Sequence, residues 1–310
     1  MRRRRYTLEA AAAWAARLAD RAAWYSGGAA ERARLAVRTA LARTGVPVTR
    51  EFLELGCARG NEASGLFSEF TAVLGCIHHY EQHRDIYSGL AVDFGVDGLY
   101  YDAGRGRNWW EYYFAPIRLG SADHARVRTV PLWQHDAFAE GVEATLSRET
   151  AAGLVRSQIV LQPEIQQAVD DFIARRFVGA PVLGVHYRDT DKHEESAPVA
   201  IAQMIDAIRA ALGRHAGAPN IFVATDDAHA LDAISSAFPG RVLSADAERS
   251  RDGEPVHKRP GDAYRKGFEA CVDCGVLARC AQLVRTSSNL GLVATYFNPA
   301  MPVTLVSAQR

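Results

Sequence analysis

The sequence predicts an α/β protein built on parallel sheets, and three observations predict it. Short apolar runs alternate with longer stretches at helical spacing, the pattern of strands joined by crossover helices. Three of those runs, at 181–187, 220–225 and 282–286, end abruptly in polar residues, as strands do when they stop at a ligand crevice. The chain has 310 residues, which at roughly 100–200 residues per domain argues for two domains.

In chain order, 8–24 and 29–43 read as helices and 51–56 as a strand. Residues 64–82 form a helix opening at Gly65, because Phe67, Phe70, Val73, Leu74 and Ile77 keep helical spacing. A strand is expected at 98–102 and another at 128–132. The later half alternates regularly: helix 163–176, strand 181–187, helix 198–213, strand 220–225, helix 228–237, strand 241–244, helix 262–281, strand 282–286, a helix from 289 and a last strand at 303–306. The run Val182-Leu183-Gly184-Val185 does not alternate, so it reads as a strand buried on both faces. Residues 248–261, rich in Arg, Asp, Gly, Glu and Pro, are the best candidate for a mobile loop. A division at 1–150 and 151–310 follows, with the last helix and strand as candidates to pack back on the first domain.

Composition narrows the function. The chain is 48% hydrophobic and 23% charged, so it can bury proper cores. Lys plus Arg and Asp plus Glu both number 36. That balance argues against a nucleic-acid binder working by broad counterion release, and any anion site must be local. Met1-Arg2-Arg3-Arg4-Arg5 and the Ala-rich stretch after it imitate a secretory signal. Glu9, Arg17, Asp20 and Arg21 break the apolar region, and no window approaches the ~18 apolar residues of a transmembrane span. Arg2–Arg5 leave peripheral contact with an anionic membrane open, beside the plainer reading of a solvated terminus. The five cysteines, Cys57, Cys76, Cys271, Cys274 and Cys280, are odd in number and sparse, as in a reducing cytoplasm. Cys271, Cys274 and Cys280 lack a fourth zinc ligand at plausible spacing and read as small buried helix residues.

The strand ends hold the candidate site. After 181–187 come His186, Arg188, Thr190, Asp191 and Lys192, and Arg188 can grip a phosphate with its fixed fork of donors. Asp226 and Asp227 close the strand at 220–225. Capping of the next helix is the plainer role for Asp227, and Asp226 stays open between metal, sugar and capping roles. Arg285-Thr286-Ser287-Ser288-Asn289 ends a strand and opens a helix, where hydroxyls and backbone N–H groups serve equally as a cap or an anion site. Glu194 and Glu195 follow the arginine loop and are candidates for a general base, or simply solvated charges. Trp109, Trp110, Tyr112 and Tyr113 could stack on a sugar, but a packed core segment is the stronger reading. Glu54-Leu55-Gly56-Cys57-Ala58-Arg59-Gly60 imitates the glycine-rich loop of an S-adenosylmethionine methyltransferase. About 20 residues on, where such a fold wants an acidic strand end, His78 to His83 are still helical and Asp93 is distant.

With these residues assembled, the chain resembles the GDP-fucose-dependent fucosyltransferases of the two-Rossmann-domain type. These include α1,6-fucosyltransferases acting on N-glycans and on rhizobial lipochitin signals and, more distantly, the protein O-fucosyltransferases. His186-Tyr187-Arg188-Asp189-Thr190-Asp191-Lys192 is similar to their His-x-Arg-x-Thr-Asp-Lys motif, and Ile221 through Asp227 to their strand ending in Thr-Asp-Asp. Asp273 through Asn289 is similar to their helix-and-strand block ending in serines, and Asn108-Trp109-Trp110-Glu111 with Phe114 and Pro116 to their Trp-Glu…Phe-x-Pro segment. The likeness covers roughly 60–300. It implies two Rossmann-like domains of the glycosyltransferase-B (GT-B) architecture, an acceptor-side domain and a nucleotide-sugar domain. It implies that Arg188 holds the β-phosphate of a GDP-sugar and stabilises the leaving diphosphate, with His186 and Asp273 near guanine or ribose. Thr286, Ser287, Ser288 and Asn289 line the phosphate pocket with Asp226 nearby, and Gly65 lets backbone approach donor or acceptor. The GDP-sugar is a co-substrate; neither a further cofactor nor a metal is expected, and the acceptor is a glycan or small molecule. Two departures stand out. A second arginine follows the first in the α1,6 enzymes, and here that position is Asp189. The position of their base is Ser196, which leaves Glu195 or Glu194 for the role. A methyltransferase and a non-catalytic nucleotide- or glycan-binding relative remain as alternatives.

Overall fold

The computed structural model describes residues 28–45, 47–57, 64–132, 146–179, 181–188, 199–214 and 219–308. The expected helix at 8–24, Arg2–Arg5, the loop 58–60, and Asp189 through Ser196, with Glu194 and Glu195, lie outside the described residues. The chain divides into two compact units. One is Met1–Ala63 with Glu69–Gly98 and Pro116–Ser147, and the other is Ser64–Ser68 with Leu99–Ala115 and Arg148–Arg310. Among the described residues no helix is long and apolar enough to cross a membrane.

The first unit holds helix α1 (Gly28–Arg43), strand β1 (Glu51–Gly56), most of helix α2 (Leu66–Gln82), and strands β2 (Tyr87–Val92), β3 (Arg118–Gly120) and β4 (Arg126–Pro131). Its sheet runs β3-β2-β1-β4, with β1 parallel to β2 and β4, and β3 antiparallel to β2. Fully buried Glu51 starts β1 between two cations: Arg38 of α1 at 3.1 Å and Arg128 of β4 at 3.3 Å. Such a charge is tolerable inside only because it is paired. The strand expected at 98–102 does not form. That stretch is a turn, and the strand is β2, just after α2. Tyr-Ser-Gly-Leu-Ala-Val is a weak strand signal, because Gly89 and Ala91 carry little β propensity. Gly89 is instead required by packing: a Cβ there would meet the carbonyl oxygen of Leu119 on β3 at 2.2 Å.

The second unit is built by helices α3 (Arg148–Gln158) and α4 (Pro163–Arg176), strand β5 (Leu183–Tyr187), helix α5 (Ile201–Leu212), strand β6 (Ile221–Thr225), helix α6 (Ala228–Ala237), strand β7 (Val242–Leu243), helix α7 (Ala263–Ala278), strand β8 (Gln282–Arg285), helix α8 (Asn289–Phe297) and strand β9 (Val303–Leu305). The sequence does not predict α3. Its buried face, Ala151, Ala152, Leu154 and Val155, spans little more than one turn, too short a run to set a helical period apart. The sheet order is β7-β6-β5-β8-β9 and every pair is parallel. The last helix and strand, candidates for a return to the first domain, belong to this unit, since β9 pairs with β8.

Alternation along β5 separates its two faces. Leu183, Val185 and Tyr187 join a core with Met204 and Ile208 of α5 and Ile234 of α6. Gly184 and His186 face the other way. A Cβ on Gly184 would lie 3.1 Å from Cys280 after α7, and a Cβ on Gly291 of α8 would lie 2.9 Å from His186 Nδ1. The aromatic segment enters the same unit. Trp109, Trp110, Tyr113 and Phe114 are all buried to 1% exposure or less, so the packed-core reading holds. Tyr113 stacks on Tyr264 of α7 with centroids 5.7 Å apart, and its hydroxyl donates to the Tyr264 carbonyl at 3.1 Å. Opposite that ring α7 carries Gly267, where a Cβ would lie 2.3 Å from Tyr113.

Candidate active site

In the second sheet β5 has β6 and β7 on one side and β8 and β9 on the other. The order therefore reverses between β5 and β8, and ligands of doubly wound sheets sit in the crevice beyond the carboxyl ends at such a reversal. The register sets the strand ends side by side: His186 lies opposite Arg285, and Tyr187 opposite Thr225. The residues expected to act together at 186–188, 226 and 286–289 do converge here.

Arg188 stands one residue beyond β5. Its backbone N–H donates to the Thr286 hydroxyl at 3.1 Å, a bond that joins the ends of β5 and β8. Its Nε lies 3.9 Å from a carboxylate oxygen of Asp226, and one terminal nitrogen lies 3.4 Å from His257 Nδ1. The guanidinium is about a quarter exposed, partly desolvated yet reachable. His186 is buried beneath it against Gly291. Thr286 and Ser288 are buried, Ser287 is exposed and Asn289 is half-buried as the first residue of α8. Ser288 occupies the N-cap position with extended backbone, yet its hydroxyl makes no capping bond. Both N-terminal helix donors and hydroxyl thus remain suited to an anion. Asp227 does cap: it accepts from the His229 N–H at 2.8 Å. On the opposite face of β5 a cavity of about 310 Å³ opens between the starts of α5 and α6, with Tyr187, Asp227 and His229 in its lining.

Asp273 lies on α7, 7% exposed, and its Oδ1 has no hydrogen-bond partner among the described residues. Burial pushes its carboxyl up to about 7, against the pull of nearby Arg249 and with a further push from Glu269. Glu269, one turn earlier, accepts from the Glu248 N–H at 2.9 Å and from Arg265 at 2.5 Å. Arg249 donates to the carbonyls of Ala245 and Ala247, both at 2.9 Å. A buried carboxylate with an unused oxygen suits a ligand that brings N–H donors. Gly65 stands just before α2, where the Leu66 N–H donates to the Tyr100 hydroxyl at 2.9 Å. A Cβ at Gly65 would meet only that hydroxyl, at 4.0 Å, so the fold alone does not demand glycine there.

The loop 248–261, expected to be mobile, is tied down. Ser250 bridges to Asp227, its N–H donating to the Asp226 carbonyl at 2.7 Å. Arg259 reaches back to Ser250, Asp252 and Glu254, and Lys266 of α7 donates to the Arg259 carbonyl. These anchors carry His257 to Arg188. Neither His257 nor Arg249 stands out in the sequence, because both sit in charged loop stretches and the groups they meet at the site, Arg188 and Asp273, are far away in the chain.

Residues 144–297 match the family model of Nodulation protein Z (NodZ). That match covers 154 of the chain's 310 residues, just under half. Nodulation protein Z of Sinorhizobium fredii is 28% identical over 131 residues, which cover 39% of this chain and 40% of that relative's length. The fold matches a NodZ α-1,6-fucosyltransferase soaked with GDP-fucose, at a TM-score of 0.54 and 21% identity over 81% of this chain and 94% of the other. It also matches a point mutant of Arabidopsis thaliana FUT1 in complex with GDP, at a TM-score of 0.52 and 11% identity over 88% of this chain and 74% of the other. The fold is therefore α/β with two Rossmann-like units, the GT-B class. The NodZ stretch contains Arg188, Asp226, Asp273 and the 286–289 turn, so it includes every element of the strand-end cluster. Asp93, distant along the chain from the 54–60 loop, directly follows β2, beside the end of β1. Its carboxylate accepts from the Gly95 N–H at 3.1 Å.

Proposed function

We propose that this chain is a glycosyltransferase that moves a sugar, fucose in the reading supported best, from a GDP-sugar to a hydroxyl of a glycan or small-molecule acceptor. The observation that carries the proposal is the placement of Arg188 just beyond β5 at the β5–β8 reversal point, its backbone bonded to Thr286 and its guanidinium beside Asp226 and His257, within the stretch that matches the NodZ family model. NodZ and FUT1 structures with GDP or GDP-fucose share the fold. The second unit binds the donor and the first serves the acceptor.

Arg188 and the N-terminal donors of α8 take up the charge that grows on the diphosphate as the glycosidic bond breaks. This leaves the reaction no need of a metal. Asp273, ionised, accepts the N1 and N2 donors of guanine, His186 lies near guanine or ribose, and Thr286, Ser287, Ser288 and Asn289 form the floor of the phosphate pocket. Glu195 or Glu194 removes the acceptor proton, and direct attack inverts the anomeric centre. Gly65 leaves room for the approaching ligand. The cysteine usage fits a reducing cytoplasm.

Thermal stabilisation by GDP, compared with UDP, ADP and S-adenosylmethionine, tests this. At ~100 times its dissociation constant a ligand adds roughly 2.7 kcal/mol. GDP alone should stabilise the protein, and Arg188→Ala should remove the shift while keeping the unliganded melting temperature. A shift with a different nucleotide would overturn the donor, and an unchanged shift in Arg188→Ala would overturn that residue's role. One observation favours a second reading: Asp93 ends β2 beside Gly56, the position a methyltransferase uses for a ribose. Stabilisation by S-adenosylmethionine without any response to GDP would select it.

A further inference from the structure

The cations near the β5–β8 crevice are not equivalent. Arg285 turns its guanidinium onto the carbonyls of Thr286 and Ser288 at 3.4 and 3.5 Å. Arg259 is engaged by Asp252 and Glu254. The residue after Arg188 is acidic, Asp189. Arg188 and His257 face each other at 3.4 Å across a half-buried gap, and the whole loop 250–259 is braced so that the histidine stays there.

With Arg188 always charged, Nδ1 of a neutral His257 accepts from the guanidinium. An anion arriving between them changes the balance, because a nearby negative charge favours the imidazolium. We infer that His257 is a second contact for the diphosphate held by Arg188, switching from acceptor towards Arg188 in the empty site to protonated donor towards the phosphate oxygens in the filled one. The imidazole takes its proton from solvent, so binding consumes one proton. This rests on the donor-site reading above. Affinity would then be highest at low pH and fall as pH rises through the pKa of the filled site.

Other titratable groups surround this one: Asp226 beside Arg188, Asp252, Glu254, Lys258 and Arg259 on the loop, Lys266 of α7, and Asp273, whose ionisation favours guanine as pH rises. The phosphate of GDP titrates as well. All are common to wild type and His257→Arg, so the ratio of their affinities isolates the histidine. Calorimetric titration of GDP and of inorganic pyrophosphate at pH 6 and pH 8 would test the inference with wild type, His257→Arg and His257→Gln. A hydrogen bond to a charged group is worth about tenfold in binding. Relative to His257→Arg, wild type should weaken about tenfold from pH 6 to pH 8, and His257→Gln should be about tenfold weaker than wild type at pH 6 only. Equal affinity of His257→Gln and wild type at both pH values overturns the inference, and so does an equal loss at both, which marks a packing role. Wild type that binds pyrophosphate but not GDP overturns the nucleotide reading and leaves the histidine comparison readable with pyrophosphate. Wild type that binds neither overturns both.

Discussion

Asp273 shows how one buried side chain ties stability to pH. Its carboxyl is held up to about 7 chiefly by burial, whereas an unfolded aspartate titrates near ~3.9. The folded state therefore binds this proton more tightly than the unfolded state. The contribution is fully present below about pH 4 and is lost as pH rises from about 4 to about 7. Asp273→Asn keeps the shape and removes the titration. Urea midpoints at pH 5 and pH 7.5 should show wild type losing stability relative to the variant at the higher pH; a difference that does not change with pH would sink the account. The same residue should matter for guanine, so Asp273→Asn should weaken GDP far more than pyrophosphate. Arg188 and Asp226 differ from it in kind. Both are partly exposed at a strand end, and their mutual attraction contributes little stability.

At the scale of elements, α7 matters most to the second unit. It packs against α4 and α8 and carries Asp273, Glu269 and the Tyr264 ring. The ring of Tyr113 sits directly on Gly267, so a methyl group there has nowhere to go. Gly267→Ala is expected to cost about 1–3 kcal/mol by overpacking, more than the gain of up to ~1 kcal/mol that alanine brings to a helix interior. Denaturant unfolding of the variant decides between the two signs, and a stabilised protein would mean that Tyr113 moves aside freely. Burial of the Tyr113 hydroxyl pushes its ionisation well above the ordinary tyrosine range. The ring is thus a neutral structural anchor at any working pH. Arg148 does a similar service at the other end of this layer, donating to the carbonyls of Thr295, Asn298 and Met301 where α8 ends.

At the scale of the whole molecule, the two units do not follow chain order. Leu99–Ala115 lies between strands β2 and β3 of the first sheet, yet it is part of the second unit. Its buried aromatics make the reason plain: Tyr113 stacks on Tyr264 of α7, and the Phe114 carbonyl accepts from Gln162 just before α4. Hydrogen exchange in rising urea should therefore find the amides of Tyr113 and Phe114, both bonded to the Trp110 carbonyl, losing protection together with α7. Loss in step with β1 and β2 would assign the segment to the first unit instead.

The sequence alone carried the strands β1, β5, β6 and β8 and the helices between the last three, because uninterrupted apolar runs and strong helical periods are local signals. It also carried the strand-end candidates, since a parallel sheet obliges the carboxyl ends of neighbouring strands to lie together. It failed at β2, whose small residues are chosen by close approach to β3, and at α3, whose buried face spans only Ala151 to Val155. Tertiary structure decided the rest. Only the fold shows that Asp226 meets Arg188, that Ser288 leaves its hydroxyl out of capping, and that Asp93 closes a strand. Only the fold brings His257 to Arg188, 69 residues away. Spacing along a chain reports which residues share an element, whereas pKa, burial and the meeting of distant loops depend on what packs against them.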